Sequence, residues 1–172
     1  MKLMSKLAAC AVGAAALTGG AWAQAKTPNY VAIPMSIEVN KPAAEVWAKV
    51  GGWCDISKWI RAGANVPCVV SSGAGEVGSV RKIANVVVEV MTAKSEFGYG
   101  YTQPNVEGKW YNLYHGYMEV RPVTATTSKI YYTLMQDQSD KADQAGIDAN
   151  VKQLRGQFEG ALANMKKLAE GG

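Results

Sequence analysis

The chain has 172 residues, 48% of them apolar and 19% charged, with a formal net charge of +4. Its basic residues are scattered singly, which argues against a nucleic-acid-binding surface. One histidine and three cysteines, none in a C-x-x-C pair, make no metal-ligand set, and no cofactor is expected.

The first elements belong to export rather than to the fold. Lys2 and Lys6 form a basic start, residues 7–17 are apolar and alanine-rich, and Ala21-Trp22-Ala23 and Ala23-Gln24-Ala25 are small-x-small cleavage sites. This pattern predicts a secretory signal peptide over residues 1–25, followed by one domain over residues 26–172. The alternative is an N-terminal anchor, for which the apolar run is short. Cys10 lies inside the apolar run with no lipobox behind it. The expected location is periplasmic or secreted, with no stable membrane span after cleavage. Cys54 and Cys68 then remain, and an even count in an oxidising compartment favours a disulfide over two unpaired core cysteines. The loop it closes has about 15 residues, for which chain entropy suggests ~3 kcal/mol.

Residues 31–40 alternate apolar and polar, the mark of a half-buried strand. Asn40 is a cap candidate, Pro42 suits a first helical turn, and residues 43–50 predict a short helix ended by Gly51-Gly52. Residues 55–60 predict a second one. Strands follow at 66–71, 78–83, 86–94, 97–103, 111–120 and 129–136, with a turn at 72–75 and a polar loop at 104–109. Short connections make neighbours antiparallel. In the last stretch, Ile147, Val151, Leu154, Phe158, Leu162, Met165 and Ala169 advance by threes and fours, the spacing of one buried helical stripe. Ser139 and Asp140 are its N-cap candidates, and Gly171-Gly172 stop it. Strand, two short helices, six strands and a long helix predict an α+β domain with the helices on one face of an antiparallel sheet.

The order of these pieces resembles the START/Bet v 1-like (SRPBCC) superfamily, the helix-grip group that includes polyketide cyclase/dehydrase-like and lipid-transfer proteins. The resemblance rests on a strand followed by Lys41-Pro42-Ala43-Ala44-Glu45-Val46-Trp47, then Trp53, Ile56 and Trp59, Gly78-Ser79-Val80-Arg81, Glu89, Tyr99 and Tyr101, and Tyr114 ahead of Met118 and Val120. It implies a strongly curved sheet wrapped around the C-terminal helix, with an apolar cavity between them for a lipid, sterol or polyketide-like molecule. In the related plant hormone receptors, a glutamate and a tyrosine matching Glu89 and Tyr114 line the pocket. Their gate loop has no counterpart in the short turn at Ala84-Asn85.

Arg61, Glu89, Tyr101 and Tyr114 are the candidate ligand-binding residues, because apolar pockets carry a few placed polar groups. Glu89 stands alone among valines, either lining a pocket or facing outward; the tyrosines either contact ligand or pack the core. Gly98 and Gly100 suit a sharp bend in the sheet. His115 shares a strand face with Tyr117 and Glu119 and reads as solvent-facing. No catalytic constellation is visible. The leading expectation is an exported binder of a small hydrophobic ligand. The alternative is a cyclase- or dehydratase-type enzyme using Glu89 and a tyrosine for proton transfer, and a third is an interaction module whose cavity its own side chains fill.

Overall fold

The computed structural model describes residues 27–104 and 112–171. The expected leader lies outside these, as does most of the polar loop expected at 104–109. The elements run β1 (Tyr30–Val39), α1 (Ala43–Val50), α2 (Ile56–Trp59), β2 (Cys68–Ser72), β3 (Val80–Ile83), β4 (Val87–Ser95), β5 (Gly98–Gln103), β6 (Tyr114–Pro122), β7 (Ser128–Asp137) and α3 (Gln144–Glu170). The strands form one curved antiparallel sheet in the order β1-β7-β6-β5-β4-β3-β2. Register shifts between Val70 and Ser72 and between Met91 and Ala93 add local bends.

Alternation decides what faces inward. Ile33, Met35 and Val39 of β1 are buried, and they lie opposite Leu134, Tyr132 and Ser128 of β7. The inner face continues through Met118 and Val120 of β6 and through Tyr99 and Tyr101 of β5. α3 covers this face with Phe158, Ala161, Leu162, Met165 and Ala169. The upstream members of its stripe, Ile147, Val151 and Leu154, are only half-buried. Gly156 and Gly160 lie exposed, and a Cβ at either would meet nothing within 4 Å.

The caps differ from the sequence expectation. α3 starts at Gln144 with Asp143 as its N-cap, whose extended backbone lets Oδ1 accept from the Gly146 N–H at 2.8 Å. Ser139 instead donates its hydroxyl to Asp137 at 2.7 Å. Pro42, without a side-chain cap bond, is the N-cap of α1. The Asn40 N–H is taken by Glu170 Oε1 at 2.8 Å, which ties the end of α3 to the β1–α1 corner. Gly171 closes α3 in the left-handed conformation, as its missing Cβ allows.

A disulfide joins Cys54, between α1 and α2, to Cys68 at the start of β2, with Cα atoms 5.5 Å apart. It fastens the turn that carries Trp53 to the edge of the sheet.

Candidate ligand site

β3 alternates as β1 does, so Arg81 and Ile83 point inward while Lys82 is exposed. Arg81 lies directly opposite Glu89 of β4. The two form an ion pair, with Nε donating to Glu89 Oε2 at 2.8 Å and Nη2 2.6 Å from the same oxygen. Arg81 is 0% and Glu89 3% exposed. The other carboxylate oxygen accepts from Gln103 Nε2 at 3.3 Å. Nη1 donates to the Trp53 carbonyl and lies 3.5 Å from the Tyr99 hydroxyl.

Three aromatic rings surround the guanidinium. Cζ stands 4.0 Å from the centre of the Trp53 ring, 5.2 Å from Tyr101 and 5.6 Å from Tyr99. Such contacts are worth about 2 kcal/mol or more when desolvated. Burial by itself would lower the Arg81 pKa, but the pull of Tyr99, which acts only once its phenol ionises, and of the Glu89 carboxylate outweighs it and the pKa is raised. Burial pushes the phenols of Tyr99, Tyr101, Tyr114 and Tyr132 upward. They therefore stay protonated across ordinary pH. Tyr101 and Tyr132 share a hydroxyl–hydroxyl bond of 2.8 Å.

The polar row crosses the sheet. Gln103 pairs in register with Tyr114, and Tyr114 with Gln136. Asn150 of α3 donates to both Gln136 Oε1 and Gln138 Oε1 at 3.0 Å. Polar side chains thus lie in register across one face, from Glu89 and Gln103 through Tyr114 to Gln136 and Asn150 of α3.

Of the four residues singled out from sequence, Glu89, Tyr101 and Tyr114 lie buried on the inner face. Arg61 lies exposed in the bend after α2, and the cation beside Glu89 is Arg81. Sequence reasoning did not name Arg81, Trp53 or Tyr132 as site residues. The signal for Arg81 was its place two residues before Ile83, on the face that an alternating strand buries. His115 is on the outer face, as expected, with its ring edge-on to Tyr30 at 5.5 Å.

A cleft of about 410 Å³ adjoins this cluster. Trp47, Trp53, Asp55, Met91, Lys94 and Tyr99 are among its lining residues. It opens between the α1–α2 turn and the β4–β5 hairpin, and no residue of α3 lines it. Trp53 and Tyr99 form part of its wall and part of the cage around Arg81.

The chain matches no family model and no curated protein. Solved structures do match. A protein from Nitrosospira multiformis is 21% identical with a TM-score of 0.63, over 80% of this chain and 96% of that one. Ara h 8.0201 is 17% identical with a TM-score of 0.60, over 84% of this chain and 100% of that one. The chain has the Bet v 1-like helix-grip fold. The same helix grip is shared with the di-domain ARO/CYC BexL of the BE-7585A biosynthetic pathway, 18% identical with a TM-score of 0.60, over 81% of this chain and 46% of that one. At these identities the likeness carries the fold, and the chemistry must be argued from the site itself.

Proposed function

We propose that this protein is an exported, single-domain binder of a small hydrophobic molecule, and that Arg81 and Glu89 provide the polar anchor of its site. One observation carries this reading: a fully buried ion pair inside an aromatic cage on the gripping face of the sheet. A buried pair is often no more stabilising than apolar side chains of the same volume. A core that needed only to be filled has no use for it, whereas a ligand that must be oriented does. The half-buried Ile147, Val151 and Leu154 supply apolar surface at the end of α3 where the polar row arrives. The signal-peptide pattern and the Cys54–Cys68 bridge support export to an oxidising compartment. No helix among the described residues is long and apolar enough to cross a membrane.

Binding is favoured over proton-transfer catalysis. Both oxygens of Glu89 already accept hydrogen bonds, and the surrounding phenols hold their protons more tightly than free tyrosine. Native mass spectrometry of purified protein, followed by lipid extraction and analysis of the extract, tests the proposal. The expected result is a bound apolar molecule that is released unchanged after incubation. Conversion of that molecule supports the cyclase- or dehydratase-type alternative, and protein that carries and accepts no apolar molecule contradicts both.

A further inference from the structure

The Arg81–Glu89 pair is sealed from solvent, so a ligand reaches it only when a covering group moves. The nearest opening is the cleft of about 410 Å³, and Arg81 is not part of its lining. Trp53 and Tyr99 are the residues common to the cleft wall and the cage. Tyr99 is fixed within β5, with Lys94 and Met118 in register on either side. Trp53 is carried by a turn, and its ring centre stands 4.0 Å from the Arg81 Cζ. It is the part of this wall that can swing.

The helices flanking the turn are anchored independently of it. α1 buries Val46 and Val50, and α2 buries Ile56 and Trp59. Asn164 of α3 also donates to the Trp59 carbonyl at 3.0 Å. Two ties fasten the turn to β2 and β3. One is Trp53 itself, through its ring and through the carbonyl that accepts from Arg81 Nη1. The other is the Cys54–Cys68 bridge. Cys54 directly follows Trp53, and Cys68 is in register with Ile83, two residues beyond Arg81. The bridge therefore spans the very contact that closes the site. Both cysteines are half-buried and keep exposed surface, which attack by a thiolate requires.

Resting on the binding reading above, we infer that the Cys54–Cys68 bridge is a redox latch. Oxidised, it holds Trp53 shut over Arg81; reduced, it frees the turn and opens the site to the cleft. The reductant is a dithiol. One of its thiolates attacks a bridge sulfur and forms a mixed disulfide, and the other cysteine leaves as a thiolate that takes a proton. The second thiol of the reductant then displaces the remaining cysteine. The bridge gains two electrons and two protons, and the dithiol leaves as a disulfide.

The test follows solvent exchange of the Arg81 Nε–H in ligand-free protein, before and after dithiothreitol under native conditions. Mass after thiol blocking confirms reduction, and the buried Leu134 and Leu162 supply backbone amides as core references. Reduction should speed exchange at Arg81 by roughly tenfold or more and leave both references unchanged. Trp53→Ala, with the bridge intact, should already exchange at the fast rate, and reduction should then add little. An unmoved Arg81 Nε–H in reduced wild-type protein overturns the inference. A parallel rise at Leu134 and Leu162 does so too, because the bridge then holds the whole fold rather than a gate. A bridge that the dithiol reaches only after the chain unfolds has the same consequence. No arm uses a ligand, so the binding reading stands or falls separately, on the mass-spectrometric result given above.

Discussion

Arg81 and Glu89 face each other across β3 and β4, with Nε 2.8 Å from Oε2 and neither side chain reaching solvent. The pair is a unit, and removing half of it leaves an uncompensated charge. Glu89→Leu should cost about 3–5 kcal/mol in urea unfolding. The double variant Arg81→Met/Glu89→Leu should recover most of that loss. A double variant no more stable than Glu89→Leu alone would show that the two charges are not coupled.

Phe158 is buried and packs against Tyr132, with ring centroids 5.1 Å apart, while the neighbouring Gln157 is exposed. Phe158→Ala should therefore cost ~3–5 kcal/mol, and Gln157→Ala should change stability little. Denaturant midpoints of the two variants check this. Equal, small shifts would mean that α3 does not grip the sheet through this stripe.

Gly116 lies opposite Tyr101 on the inner face. A Cβ there would overlap the tip of the Tyr101 ring, which the Tyr132 hydroxyl holds in place. Gly116→Ala should destabilise by about 1–3 kcal/mol through overpacking. Gly156→Ala, on the open side of α3, should stabilise by up to about 1 kcal/mol. Thermal melts of both variants should move in opposite directions.

Much of this was legible in the sequence, for identifiable reasons. α1 was read to the residue because Pro42 and Gly51 punctuate it on both sides. Most strands followed from alternation or from valine-rich runs bounded by turns, whereas the side to which Glu89 turns was open in the sequence and is fixed by burial in the fold. The start of α3 was misjudged because Ser139, Asp140 and Asp143 all have capping chemistry, and only the carboxylate of Asp143 meets the Gly146 N–H. The partner of Glu89 was missed because it depends on register. That register is set by the turn at Ala84 and Asn85, both left-handed with φ of 49° and 60°. The turn itself is legible in the sequence, but it extends through Val86, so that Ile83 pairs with Val87 and Arg81 with Glu89 rather than with Val88. The Trp53 cage needs a contact between the α1–α2 turn and β3, which no periodicity encodes.

His115 is half-buried beside Tyr30, and burial holds its pKa below the ordinary 6.5. The unfolded chain therefore binds the proton more readily, and stability should fall as pH drops from 6.5 through the folded-state pKa. Because the ring is half-exposed, the effect should be small. An NMR titration should find its midpoint below 6.5, and His115→Gln should flatten this part of the stability profile. A midpoint above 6.5 would reverse the sign.

The central claim is that ligand is held at the Arg81–Glu89 pair, and the Arg81 Nε–H resonance reports on it most directly. This proton already bonds to Glu89 and is shielded from solvent, so it should be sharp and separately visible. Protein stripped of lipid and then reloaded with its own extract should show this resonance shifting in step with ligand occupancy, while the outer-face His115 stays in place. Full reloading by mass, with an unmoved Arg81 Nε–H, would contradict the claim and put the ligand elsewhere on the molecule.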